Sequence, residues 1–177
     1  MQLRNRFLLL VTLFMVGAFT SLHAQADKSK RPSPLVQKQA SMGDLTIVIN
    51  YGSPAVKGRK IWGSLEPYGE VWRTGANEAT TFEVNHDVTI NGEKLEKGRY
   101  ALFTIPNEKE WTVIFNKEPD QWGDYNYDKN KDALRVTVAT DKAPAFTERL
   151  TFNIDDKTGK VTFLWENLTF NFDVKKA

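Results

Sequence analysis

The chain has 177 residues, a formal net charge of +2, no cysteine and two histidines. The absence of thiols excludes disulfides, nucleophilic cysteine and thiolate metal sites, so core burial alone must hold the fold together. Both cations in excess of the acids, Arg4 and Arg6, lie at the extreme N-terminus, and without them 22 basic residues face 22 acidic ones. A formally neutral body lacks the basic footprint of a nucleic-acid binder.

Those first residues read as a secretory leader. Arg4 and Arg6 precede a nearly unbroken apolar run, Phe7–Phe19, and then the small-residue exit Ser21-Leu22-His23-Ala24-Gln25-Ala26. The order of charge, apolar run and small residues is that of a signal peptide, with cleavage after Ala24 or Ala26. The run is well short of the roughly 20 apolar residues that span a bilayer, so no membrane span is expected after leader removal. No cysteine follows to carry a lipid. The expected destination is therefore export, to the periplasm or the medium.

Residues 25–34 are polar, carry Pro32 and Pro34, and read as a lead-in or linker. The remaining 35–177 form one domain of ordinary size. Leu35–Met42 is a short helix candidate, as is a turn near Gly75–Thr80. From Leu45 the dominant period is two: Leu45, Ile47, Ile49 and Tyr51, then Thr80, Phe82 and Val84. Near the C-terminus the same period runs through Leu150-Phe152-Ile154, Val161-Phe163-Trp165 and Leu168-Phe170-Phe172-Val174. Such alternation gathers apolar side chains on one face of a strand.

Asn91-Gly92, between Val88–Ile90 and Glu93–Leu95, has the residue pair of a tight hairpin. Pro106–Glu110 separates two strands that are apolar on both faces, Ala101–Ile105 and Trp111–Phe115, and this marks them as central. Asp155–Lys160 joins two more strands, so the last four or five strands read as an antiparallel meander. About nine strands with little or no helix predict an all-β antiparallel sandwich or jelly-roll-like fold, with a closed barrel as the alternative.

Tyr51–Thr81 departs from this pattern. Gly52, Gly58, Gly63, Gly69 and Gly75 punctuate it, and Lys57, Arg59, Arg73, Asn77 and Glu78 sit among Trp62, Tyr68 and Trp72. Long connections of this kind often carry function. Arg73 and Arg59 offer forked donors for a carboxylate or phosphate, the amides around Gly75 could form an anion concavity, and the aromatics could wall a pocket. The structural reading of the same residues pairs Arg73 with Glu78, closes an Asx-turn at Asn77 and pins the loop with the aromatics.

The stretches KGRKIWGSLEPYGEVWRTGANEATT, GRYALFTIP, EWTVIFNK and QWGDYNYD resemble domain of unknown function 2911. The resemblance runs from about Pro32 to Val174 and implies an exported bacterial protein with a β-rich domain. It carries no activity and no catalytic residue.

Other constellations are weaker. Asp124, Asn126, Asp128, Asn130 and Asp132 alternate like a calcium loop, but Lys129 stands where the turn glycine belongs and Arg135 where a bidentate glutamate belongs. No metal and no cofactor is expected. Trp122, Tyr125 and Tyr127 would flank a sugar or peptide if their loop folds beside the Gly-rich segment. His86 alone cannot build a multi-histidine metal site. Glu66, Glu70 and Glu78 supply carboxylates for acid–base chemistry only if the fold spaces them correctly.

The sequence thus favours an envelope module binding a small anionic or hydroxylated ligand, a glycan among them, over an enzyme. A structural or protein-interaction domain is the alternative, and a carboxylate-dependent hydrolase the second. Oligomeric state stays open.

Overall fold

The computed structural model describes residues 27–177, so the expected leader and its expected cleavage positions lie outside the described residues. Nine strands run as β1 (Leu35–Met42), β2 (Leu45–Gly52), β3 (Thr80–Val84), β4 (Val88–Ile90), β5 (Glu93–Leu95), β6 (Gly98–Ile105), β7 (Glu110–Asn116), β8 (Asp132–Ile154) and β9 (Lys160–Lys176). Their order is β1-β2-β3-β6-β7-β8-β9-β4-β5. Every pairing is antiparallel. Helical structure among the described residues is limited to two 3₁₀ turns, Lys28–Lys30 and Lys129–Lys131.

The meander is β6 through β9, and the two doubly apolar strands, β6 and β7, sit at the middle of the order. Asn91 and Gly92 both have positive φ, 50° and 94°, which closes the β4–β5 hairpin in the geometry whose twist matches its strands. Leu35–Met42 is a strand, not a helix: it pairs along its whole length with β2, Leu35 opposite Gly52 and Met42 opposite Leu45. Only Ala40 of its eight residues is buried, so tertiary pairing at a sheet edge decides the conformation where side-chain pattern is weak. Gly75–Thr80 likewise forms bends and a bridge rather than a helix.

The order folds over at β8 and β9. β8 pairs with β7 up to Ala139, then with β9 from Thr140 on, and register shifts near Thr147 mark the bend. Bulges let a strand kink and change partners. The two inner faces meet in one aromatic core. Trp111 of β7 lies 5.3 Å from Phe170 of β9, Phe82 of β3 lies 6.1 Å from Phe172, and Tyr51 of β2 lies 5.1 Å from Phe152 of β8. This is the sandwich that the alternation predicts.

Sheet faces are covered unequally. Thr80, Phe82, Tyr100, Leu102, Trp111, Val113 and Phe115 point inward. The opposite face of β6 and β7 carries Ala101, Phe103 and Ile114, which form a smaller cluster with Ala79 and, packed against it, Val71, Ile105 and Tyr127. The connection between β2 and β3 and the loop between β7 and β8 therefore lie over the outer face of the sheet centre. That cover is why both central strands are apolar on both sides.

Candidate functional site

The β2–β3 connection is held to the sheet at each stage. Val56 N–H donates to the Glu148 carbonyl and the Leu150 N–H to the Pro54 carbonyl, so its first residues run beside β8. Arg59 then closes the turn on itself, Nε donating to the Val56 carbonyl at 3.0 Å and Nη2 to the Ala55 carbonyl at 2.5 Å. Lys57 is exposed beside it, and its amide donates to Glu148 Oε1. Trp72 leaves the surface altogether, and Trp62 is partly buried against the same core. Trp72 is 3 % exposed, exchanges backbone hydrogen bonds with Thr104, and meets Trp62, Trp111 and Trp165 at 5.8–6.2 Å. Tyr68 covers Gly63, where an added Cβ would stand 2.9 Å from its ring.

Past Trp72 the chain folds tightly against the end of β2. A Cβ at Gly52 would sit 2.0 Å from the Ala76 carbonyl oxygen, so only glycine permits this approach. Three of the amides here are turned to carbonyls of the fold rather than to an anion concavity. Those of Ala76, Ala79 and Thr80 donate to the carbonyls of Gly52, Gln121 and Arg73. The hydroxyls of Thr74 and Thr80 brace the same turn from inside.

Glu78 does not pair with Arg73. The lead-in folds back and supplies its partners, Lys28 Nζ at 2.8 Å and Arg31 Nη1 at 2.8 Å. Residues 27–34 are thus part of the fold, and Asn77 Nδ2 donates to the Ser33 carbonyl there instead of closing a turn. Partial burial pushes the Glu78 carboxyl up. Hydrogen bonds from Lys28, its own amide and Arg31, with the Lys28 charge, outweigh this and hold it below its usual range.

The aromatic loop does fold beside this segment. Ala79 N–H donates to the Gln121 carbonyl, Gly123 N–H to the Asn77 carbonyl, and Glu78 and Trp122 form a bridge. Its base is clamped by Asp132, which accepts from Tyr127 Oη at 2.7 Å, Arg135 Nε at 2.7 Å and Asn116 Nδ2 at 2.8 Å. Asp128 caps the 3₁₀ turn at Lys129 by accepting from the Asn130 amide. Two of the alternating oxygen donors are therefore committed to hydrogen bonds within the loop.

Lead-in, aromatic loop and outer sheet face enclose a pocket of about 410 Å³, lined among others by Asn50, Glu78, Thr81, Arg99, Gln121 and Trp122. Trp122 is 55 % exposed. Asn50 of β2 and Thr81 of β3 are register partners, and Asn50 Nδ2 donates to Thr81 Oγ1 at 3.3 Å. Arg99 of β6 pairs with Asp120 at 2.9 Å.

Of the eight residues singled out in the connection, only Glu78 lines this pocket; Asn77 adjoins it in sequence. Lys57 lies against β8, Arg59 is turned back on its own loop, and Arg73 is half-buried and lines no part of the pocket. Asn50, Thr81, Arg99 and Gln121 were not singled out. For Asn50, Thr81 and Arg99 the signal was present as polar residues at the outward positions of β2, β3 and β6, and Gln121 opens the aromatic loop, but they become a site only once those strands are known to be neighbours.

No match is found among curated proteins or among solved structures. The family model described as protein of unknown function (DUF2911) matches residues 33–174. That span takes in β1 to β8, all but the last two residues of β9, the pocket-forming loop and the whole β2–β3 connection, and the chain belongs to the DUF2911 family.

Proposed function

We propose that the protein is an exported binding module for a neutral, polyhydroxylated ligand of the sugar class, held in the pocket beside Trp122. The observation that carries the reading is the pairing of charges around that pocket. Lys28 and Arg31 are spent on Glu78, and Arg99 on Asp120. Beyond the bonds of Asn50 to Gln37 and Thr81 and of Gln121 Nε2 to the Glu118 carbonyl, what remains to address a ligand is the spare neutral capacity of Asn50, Thr81 and Gln121 beside a half-exposed indole. Neutral donors and acceptors next to a flat apolar ring suit hydroxyls and a sugar face better than an anion. Gln121 Oε1 is buried without a hydrogen-bond partner among the described residues, an acceptor in need of a donor. Export rests on the leader pattern of residues 1–24.

The hydrolytic reading through Glu78 is weaker. A carboxylate kept ionised by two cations is a poor proton donor at neutral pH. The connection from Ser53 to Ala76 reads as a brace, because two of its tryptophans belong to the core.

The test is a titration of the purified protein with a panel of neutral oligosaccharides, followed by thermal shift and tryptophan fluorescence, with acetate and phosphate as anionic comparators. At least one sugar is expected to raise the melting temperature, since a ligand of the folded state stabilises it by mass action. Trp122→Ala and Asn50→Ala should each abolish that rise. Binding of the anions alone, or sugar binding untouched by Trp122→Ala, would sink the proposal.

A further inference from the structure

The floor of the pocket crosses four neighbouring strands, from Leu35 of β1 through Asn50 of β2 and Thr81 of β3 to Arg99 of β6. Paired strands stand about 4.8 Å apart, so the three steps give a floor of about 14 Å, longer than one sugar ring. Its two ends differ. Arg99 pairs with Asp120 at 2.9 Å, which ties the β6 end to the aromatic loop and its Trp122. The β1 end is an edge of the sheet, where Leu35 is 38 % exposed.

A ladder of neutral side chains runs along this floor. Gln37 lies opposite Asn50, and Asn50 opposite Thr81, so the three share one face of β1, β2 and β3. Gln37 Nε2 donates to Asn50 Oδ1 at 2.9 Å, and Asn50 Nδ2 donates to Thr81 Oγ1 at 3.3 Å. Both bonds run in the same direction. The ladder therefore presents the Thr81 hydroxyl proton inside the pocket and the Gln37 side-chain carbonyl at the sheet edge. Cross-strand pairing accounts for the two bonds themselves. It does not account for the cavity above them, nor for Gln121 Oε1 in the cavity wall, buried without a hydrogen-bond partner among the described residues.

We propose that the pocket is the inner end of a trough for a linear neutral oligosaccharide, and that the protein reads a chain of sugar units rather than a single sugar. This rests on the sugar-class reading of the pocket and adds the length and direction of the ligand. One unit lies on the Trp122 indole and donates a hydroxyl to Gln121 Oε1. The next crosses Asn50 and Thr81, and the chain leaves over β1 past Gln37. Gln37 is exposed and does not line the pocket, so it meets only a ligand long enough to reach the edge. It is the residue that sets the preference for length.

The test is calorimetric titration of the purified protein with glucose, cellobiose, cellotriose and cellotetraose, with the matching maltodextrins and N-acetylglucosamine oligomers as two further series. In at least one series affinity should rise about tenfold or more from one unit to three. Gln37→Ala should weaken the trisaccharide about fivefold, the worth of one neutral hydrogen bond, and leave the monosaccharide and the melting temperature unchanged. Gln39→Ala, at an exposed position two residues along the same strand, should leave every length unchanged. Trp122→Ala should weaken all lengths. Equal affinity for one unit and three in every series overturns the trough and leaves the pocket reading standing. So does a trisaccharide loss in Gln39→Ala as large as in Gln37→Ala. Absence of binding at any length overturns both.

Discussion

Glu78 sits between Lys28 and Arg31, whereas Glu66, earlier in the same connection, forms no ion pair among the described residues. One residue type therefore contributes to stability with opposite signs. The Glu78 carboxyl is held below its ordinary value of 4.5, so folding favours its ionised form. Its contribution is complete above that ordinary value and is lost as pH falls through the folded one. The Glu66 carboxyl is raised to about 7, so folding favours its protonated form. Its contribution is complete below the ordinary value and is lost as pH rises through about 7. Urea denaturation across the acid-to-neutral range checks both. Glu78→Gln should flatten the acid limb below about pH 4.5. Glu66→Gln should remove a decline on the order of 2 kcal/mol between its two values, each pH unit of offset being worth about 1.4 kcal/mol before solvent screening. An acid limb unchanged in Glu78→Gln would mean that the Lys28 and Arg31 contacts do not persist in solution.

At the scale of elements, the loop from Lys117 to Lys131 depends on its base. Asp132 accepts three side-chain hydrogen bonds there, from Asn116, Tyr127 and Arg135. Burial, then the Asp132 hydrogen bond and charge, push the Tyr127 hydroxyl up to about 12 against the pull of Arg135, so it stays a donor at any working pH. Asp132→Ala orphans all three donors and leaves Arg135 uncompensated. A loss of roughly 3 kcal/mol is expected, with faster amide exchange across the loop while β6 and β7 stay protected. Uniform exchange across loop and core would show instead that the clamp is global. The hairpin at Asn91-Gly92 and the doubly apolar central strands were legible because local chemistry and tertiary position agree there. β1 was not, because LVQKQASM buries a single alanine and offers no alternation to read. Nor was the full length of β8, whose register shifts and Pro144 interrupt the period between two partners. The pocket was legible only in part. Glu78 and Trp122 lie on segments that stood out in the sequence, but Asn50, Thr81 and Arg99 meet only through the β2-β3-β6 pairing.

Across the whole molecule, four of the five tryptophans converge on one core. Trp62 and Trp72 come from the β2–β3 connection, Trp111 from β7 and Trp165 from β9. Trp62 meets Trp111 at 4.8 Å and Trp165 at 5.5 Å, so it touches both layers of the folded sheet. The connection is therefore a third contributor to the core rather than a loop laid over a finished sandwich. Without disulfides, the strength of that joint sets global stability. Trp62→Ala should cost about 3 kcal/mol, the low end of the range for deleting a large aromatic from a core, because the ring is partly buried. Because the cavity opens where connection, β7 and β9 meet, the variant should still unfold in one step, with far-UV circular dichroism and tryptophan fluorescence shifting together to a lower midpoint. Trp122, outside the core, would report early only if the aromatic loop detached first. A variant that keeps the wild-type midpoint by circular dichroism and loses only an early fluorescence phase would show the opposite. In that case the connection would be a separable flap, and the brace reading of Ser53–Ala76 would fall with it.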